Sequence, residues 1–509
     1  MRHWTWRQWI TLLALSFSVF MISLDVTVVT VALPNIQRDF GLSMEGLQWV
    51  VSAYSLSFGS LLMAGGSFAD RFGRRAVFAA GLLVFAAGSL ACGLAADGVW
   101  LIVARVLQGM GAAFMSSSSA ALVAGAFEGA ERPAAYGVWG AALGLGLAFG
   151  PSLGGLITEH LSWHWIFLAN APVAAAVLPT VLLTVAEARD PDARRVDLAG
   201  MLSFSAALGT LIYALSAGAG LGWASPTVAG LPAVSLLCFG AFYRIERRHP
   251  YPLFDLRLFA LPTFVGVSIV PLAASVGYWA LFVYLPLYLD RVLALPPAAV
   301  GKIMLPFTLP MLVVPPLAAR LARVLAARHQ FALGLALIAL GDWLLAAAIG
   351  AGRGDALALP LFAAGLGAGL INAQITSAAV SVVPVARAGM ASGISATMRQ
   401  VGYGLGIAAL GAILGSVARA RLAHAIAAAP GFGAVDAAAA FSAFAGGRAA
   451  PPGPGAARLS SLLLDSFAHG MQTMLATAGA VTLCGAVAAW LLVRAEAAPA
   501  STAAGVPSE

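Results

Sequence analysis

LDVTVVTVALP, residues Leu24 to Pro34, sets one carboxylate, Asp25, inside an otherwise apolar run long enough to cross a bilayer. An ionised, unpaired carboxylate at that depth is costly, so by default it marks an ion or substrate path. A second charge of opposite sign, Arg105, lies in a later apolar stretch, LIVARVLQGMGAA (Leu101 to Ala113). Asp25 lies about nine residues, or about 13 Å, from Pro34 at the outer end of its span. Arg105 lies about seven residues, or about 10 Å, from Gly98 at the start of a span running the other way. The two charges are therefore expected at similar depth. Desolvation favours the neutral carboxyl and a neighbouring guanidinium favours the carboxylate. Moving between those environments is a physical way to bind and release a proton.

Composition places the whole chain in the same class. Of 509 residues, 61% are hydrophobic and 10% charged, against about 25% charged in soluble domains. Apolar windows predict about fourteen spans of about 20 residues each. The net charge of +7 comes from short loops and not from a basic domain, so it serves topology and no nucleic-acid partner is expected. Most arginines, including Arg7, Arg71, Arg74, Arg75, Arg132 and Arg247, fall in loops on the N-terminal side. Arg38, Arg291 and Arg353 stand in the short loops opposite. Both termini are therefore expected in the cytoplasm. Cys92, Cys238 and Cys484 lie within predicted spans and form neither a disulfide framework nor a metal-ligand spacing. No metal or cofactor is expected. The N-terminal apolar run passes twenty residues and contains Asp25, so it reads as a retained span rather than a cleaved leader.

GSFADRFGRR (Gly66 to Arg75) and ARLARVLAAR (Ala319 to Arg328) form a faint repeat, each following the second span of a six-span half. This predicts an N-terminal six-helix bundle over 1–190 and two linker helices over 191–260. A C-terminal bundle is predicted over 261–494, with a tail over 495–509 read as disordered and cytoplasmic. The Ala-, Gly- and Pro-rich segment at about 417–467 is expected to be a long mobile outer loop.

With these motifs the chain resembles the major facilitator superfamily, and in particular its fourteen-helix drug/proton antiporter branch. GSFADRFGRR resembles that family's loop between helices two and three. The Arg105 stretch resembles its fourth-helix motif, and GLGLAFGPSLGG (Gly144 to Gly155) its fifth-helix motif. LDVTVVTVALP, LQWVVSAYSL (Leu47 to Leu56), WHWIFLANAP (Trp163 to Pro172) and GMASGISATMRQVGYGLG (Gly389 to Gly406) extend the match along the chain. His164 replaces a usual arginine, and Phe68 a common leucine. The resemblance implies an all-α membrane protein of two six-helix bundles plus two helices. It also implies export of hydrophobic or cationic small molecules, drugs among them, against protons. The Arg-rich, Lys-poor composition, with Lys302 the only lysine, points to a bacterial cytoplasmic membrane, and a monomer is expected.

It further implies roles for single residues. Asp25 and Arg105 would couple protons. Asp70, with Arg71, Gly73, Arg74 and Arg75, would gate by meeting helix ends of the other half when the inner side is closed. Gly150, Pro151, Gly154 and Gly155 would act as hinge and seal. Trp49, Tyr54, Tyr284, Asp342, Asn372, Gln374 and Arg399 are the candidates for contact with substrate, because polar groups at mid-span need a partner other than lipid. Asp342 is also a candidate second proton site. Export of an endogenous metabolite, lipid-like compound or siderophore by the same machinery stays open, as does a non-transporting receptor or scaffold. An ATP-driven pump is disfavoured, since no G-x-x-x-x-G-K-[ST] loop occurs.

Overall fold

Backbone polar groups find no partners in hydrocarbon, so long apolar runs close their hydrogen bonds within helices. The computed structural model describes residues 4–127, 131–189, 197–250, 252, 254–322, 324–349, 354–372, 374–383, 388–429, 432, 435–446 and 455–494. The N-terminal part comprises α1 (Trp6–Phe40), α2 (Met44–Phe72), α3 (Arg74–Gly93), α4 (Gly98–Ala126), α5 (Arg132–His160), α6 (His164–Leu168) and α7 (Asn170–Thr184). α8 (Leu198–Leu221) and α9 (Pro226–Arg248) follow. The C-terminal part comprises α10 (Pro262–Arg291), α11 (Pro297–Ile303), α12 (Leu305–Leu321), α13 (Ala327–Ala348), α14 (Ala358–Asn372), α15 (Ile375–Ser381), α16 (Ala388–Ala428), α17 (Ala437–Ala445) and α18 (Ala456–Leu492).

Among the described residues, 12 helices are long and apolar enough to cross a membrane, and bent pairs raise this to as many as 14. One bend, of 52°, lies within α2 between Met44–Leu62 and Ala64–Phe72. The other, of 44°, separates α11 from α12. This is the all-α, multi-pass membrane architecture that the hydropathy pattern predicts.

The packing repeats. In the N-terminal part α1 lies along α5, while α4 lies along both α2 and α3. In the C-terminal part α10 lies along α16, while α14 lies along both α12 and α13. α7 touches α1 and α3 as α18 touches α10 and α13. α8 and α9 pair with each other, and α8 rests on α2 and α16. Six spans thus recur with the same neighbours, and the two extra helices lie outside both sets.

The segment 417–467 is a correction. Where described it is largely helical: α16 continues to Ala428, α17 fills Ala437–Ala445, and α18 begins at Ala456. Alanine, the best helix former, outweighs the loop-like bias of the segment. α17 is also anchored, with Phe441 and Ala445 buried and Gln37 Nε2 donating to the Ala445 carbonyl at 2.5 Å. The expected tail over 495–509 lies outside the described residues.

Candidate functional site

α1 and α4 bring Asp25 and Arg105 into contact. Arg105 Nη1 donates to Asp25 Oδ2 at 2.5 Å, and each residue is 1% exposed. Gln108, three residues after Arg105 and so on the same helix face, completes the constellation. Its Nε2 donates to Asp25 Oδ1 at 2.8 Å, and its Oε1 accepts from Arg105 Nη1 at 2.7 Å. Gln108 Nε2 also reaches Ser89 Oγ at 3.1 Å, which Asn170 Nδ2 approaches at 2.9 Å. Arg105 Nε donates to the Val50 carbonyl at 3.0 Å, and the guanidinium lies over the Tyr54 ring at 4.2 Å from its centroid. Carboxylate, carbonyl, amide and ring together replace the water that Arg105 loses on burial. The result is a neutral polar island in an apolar half.

The island sits behind the wall of a cavity of about 2070 Å³ that runs between the two parts of the chain. Val26, next to Asp25, and Phe58 line this cavity. Tyr54 connects the two places, stacked on Arg105 and 5.9 Å from the Phe58 ring, centroid to centroid. Asp70 and Arg74 stand at the cavity's mouth, at the end of the bundle where α1 starts and α18 finishes.

The opposite end is shut by contacts between the two parts. Arg38 pairs with Asp290 at 3.3 Å, and Arg291 Nη2 donates to Gln37 Oε1 at 2.9 Å. The Ala298 amide donates to Glu159 Oε2 at 2.9 Å. Deeper, Gln48 Nε2 donates to the Tyr284 hydroxyl at 2.9 Å, which donates to the Ile407 carbonyl at 2.7 Å. A cavity closed at one end by contacts between two repeated bundles is the geometry of alternating access.

The sequence profile of the Major Facilitator Superfamily matches residues 15–407. The chain belongs to that superfamily. Multidrug resistance protein Stp of Mycobacterium tuberculosis is 38% identical over 418 residues, 82% of this chain and 77% of that protein. Puromycin resistance protein pur8 of Streptomyces alboniger is 34% identical over 509 residues, 98% of this chain and 94% of that protein. Tetracenomycin C resistance and export protein of Streptomyces glaucescens is 32% identical over 500 residues, 96% and 92% of the two chains. Among solved structures, a bacterial homolog of the human lysosomal transporter Spinster matches with a TM-score of 0.64 at 18% identity, covering 98% of this chain and 100% of that one. That likeness concerns the fold. The protein is thus a facilitator-superfamily transporter of small molecules, and not an enzyme.

Within this facilitator fold the expected site residues separate into distinct places. Asn372 and Arg399 stand in the cavity wall, joined there by Tyr278, Trp279 and Gln400. Trp49, Tyr54, Tyr284, Asp342 and Gln374 do not line it in this conformation. Trp49 packs on Tyr213 of α8, centroids 6.1 Å apart. Tyr54 supports Arg105, and Tyr284 belongs to the closed end. Gln374 stands just before α15, its Oε1 accepting from Ser377 Oγ at 3.3 Å.

The two glycine-bearing motifs also resolve. Asp70 pairs with Arg74 at 3.0 Å, inside its own loop. Gly73 has φ of +108°, and a Cβ there would lie 2.6 Å from the Glu187 carboxyl carbon. Only glycine suits both demands. Glu187, which sequence reading missed, accepts from the amides of Arg75 at 3.0 Å and Ala76 at 3.1 Å. It caps the start of α3 as an acid should. Arg75 reaches the Val185 carbonyl at 3.1 Å, while Arg71 is exposed. In α5, Gly150 and Gly154 press on Thr27 and Val28 of α1, within one bundle. Gly155 and the Pro151 carbonyl face Pro297 and Gly301 of α11, in the other. α5 runs unbroken through Pro151.

Asp342 is fully buried, and neither carboxylate oxygen has a hydrogen-bond partner among the described residues. It faces Gly277 of α10, where a Cβ would lie 3.6 Å from Oδ2 and 2.5 Å from Thr482 Oγ1 of α18. A buried polar group without a partner costs about 1–3 kcal/mol, and an apolar replacement of similar size removes that cost. Asp342→Leu is therefore expected to raise the melting temperature of the purified transporter in detergent. A lowered melting temperature would show that the carboxyl makes a stabilising contact.

Proposed function

We propose that this transporter exports hydrophobic small molecules, drugs among them, from the cytoplasm in exchange for protons. The observation that carries the reading is the buried Asp25–Arg105 pair at 2.5 Å, set beside the cavity and not in it. An ion pair removed from solvent contributes little net stability compared with apolar packing. Its placement against the Tyr54–Phe58 layer suits a switch that substrate need not touch.

Arg71, Arg74, Arg75 and Arg247 occur at the end where α1 starts, α18 finishes and the cavity opens. By the excess of positive charge that end is cytoplasmic, and the conformation is inward-open. In the opposite conformation a proton from outside neutralises Asp25 and frees Arg105 from its counter-charge. The bundles then rock inward-open, the proton leaves to the cytoplasm, and the pair re-forms while substrate enters the cavity. Closing the cytoplasmic end would move Asp70 from Arg74 to a helix end of the other bundle. Opening the outer end would break the Arg38–Asp290 and Gln48–Tyr284 contacts. The relatives named for drug resistance and export support drugs as cargo.

Cells lacking background efflux pumps, loaded with a panel of hydrophobic fluorescent dyes, test the reading. Expression is expected to lower accumulation of at least one dye several-fold, and a protonophore to restore it. Efflux that survives the protonophore would remove protons from the cycle. Unchanged accumulation of every dye would remove drug export.

A further inference from the structure

We propose that the deep end of the cavity selects molecules carrying a carboxylate or another anionic group, with Arg399 as the recognising cation. This rests on the export reading, narrows its cargo from hydrophobic molecules to hydrophobic anions, and departs from the cationic cargo that the sequence resemblance implies. Arg399 stands about eleven residues into α16 from Ala388, roughly 16 Å from the cytoplasmic end of that helix. It lies in the wall with Tyr278, Trp279, Asn372 and Gln400. Among the described residues its buried Nε has no hydrogen-bond partner and no ion pair includes it.

The acids on the same wall are Asp70, Asp197, Glu246 and Asp255. All four fall at the mouth: Asp70 ends α2, Asp197 caps the start of α8, Glu246 is near the end of α9, and Asp255 follows it. Deep in the molecule the two other carboxylates are out of play. Asp25 is committed to Arg105 and Gln108, and Asp342 is fully buried behind α10, facing Gly277, and does not line the wall. The deep chamber therefore combines one unopposed guanidinium, two amides, aromatic rings and apolar side chains. A guanidinium with a free N–H offers a fork to a planar anion. A ligand ammonium in the same space meets a like charge with no carboxylate to offset it.

Three dansyl probes of one scaffold test the assignment on purified full-length transporter in detergent: dansylglycine, dansylamide and dansylcadaverine, which are anionic, neutral and cationic. Probe fluorescence is expected to give a Kd for dansylglycine about tenfold or more below that for dansylcadaverine. Arg399→Gln is expected to bring the ratio near unity, and Arg399→Lys to keep most of it. Size-exclusion profiles and melting curves of both variants establish that they are folded. Equal or tighter binding of the cationic probe, no binding of dansylglycine, or an unchanged ratio in Arg399→Gln would overturn the proposal. Binding is measured without a gradient, so it is independent of export. Proteoliposomes that bind dansylglycine but do not move it under an imposed pH gradient would count against export and leave the anion site standing.

Discussion

Asp25→Asn is expected to bring protonophore-sensitive efflux down to the level of cells without the transporter. An asparagine presents one acceptor where the carboxylate presents two. One of Arg105 Nη1 and Gln108 Nε2, which now donate to Asp25 at 2.5 Å and 2.8 Å, would then face the amide NH₂. Arg105 would also keep its charge in a site that is 1% exposed, with no counter-charge. Breaking a buried pair in this way costs about 3–5 kcal/mol, so membrane levels are expected to fall and efflux is compared at matched expression. Removing both charges separates folding from coupling. The double variant Asp25→Leu with Arg105→Met is expected to recover thermal stability, because neither charge is then left alone. It should recover no efflux, because nothing remains to carry the proton. Wild-type efflux by Asp25→Asn, or by the double variant, would take this carboxylate out of the coupling step.

Gly155→Leu should act on conformation instead of folding. Gly155 has no side chain to hold Pro297 and Ala298 of α11 away, and any Cβ there would collide with that backbone. The contact joins the two bundles at the closed end, beside the hydrogen bond from Ser152 Oγ to the Gly301 carbonyl at 3.2 Å. Overpacking costs about 1–3 kcal/mol or more, and about 3 kcal/mol shifts a two-state population by more than about a hundredfold. Gly155→Leu is therefore expected to hold the outer end open and abolish efflux while the protein stays folded. With Cys92, Cys238 and Cys484 replaced, Ser152→Cys reports this through labelling by a membrane-impermeant maleimide in intact cells. Labelling is expected to be slow in the Gly155 background and fast with Gly155→Leu; equal rates would remove Gly155 from the seal. Gly150→Leu is the control, since it faces Thr27 inside one bundle and should lower stability in every conformation.

Part of the site was legible in the sequence and part was not, for physical reasons. Asp25 and Arg105 stood out because a charge in an apolar span is rare, and their depths followed from the rise of a helix. Gln108 belonged to the same signal, three residues from Arg105, but a neutral amide in a span does not announce its partner. Ser89 and Glu187 had no local signal at all, and Asn170 lay in the WHWIFLANAP stretch without a role assigned to it. Each acquires its role from a helix distant in sequence. Asp342 looked like a cavity residue by depth alone, yet it faces Gly277 of α10 and does not line the wall. The four residues grouped as one α5 motif likewise divide by direction, two toward α1 and two toward α11.

Hydropathy, charge placement and motif spacing by themselves determined the membrane class, the order of the apolar spans, and which two charges lie buried at similar depth. They could do so because lipid forces each apolar run into a helix and makes every charge within it conspicuous. The direction each side chain takes around its helix was decided only by tertiary structure. These spans are apolar on nearly every side, so they lack the one-sided stripe that in a soluble helix marks the inward face. Packing of helix on helix settled what the pattern left open: the hydrogen bonds around Arg105, the seal at Gly155, and the unopposed guanidinium of Arg399.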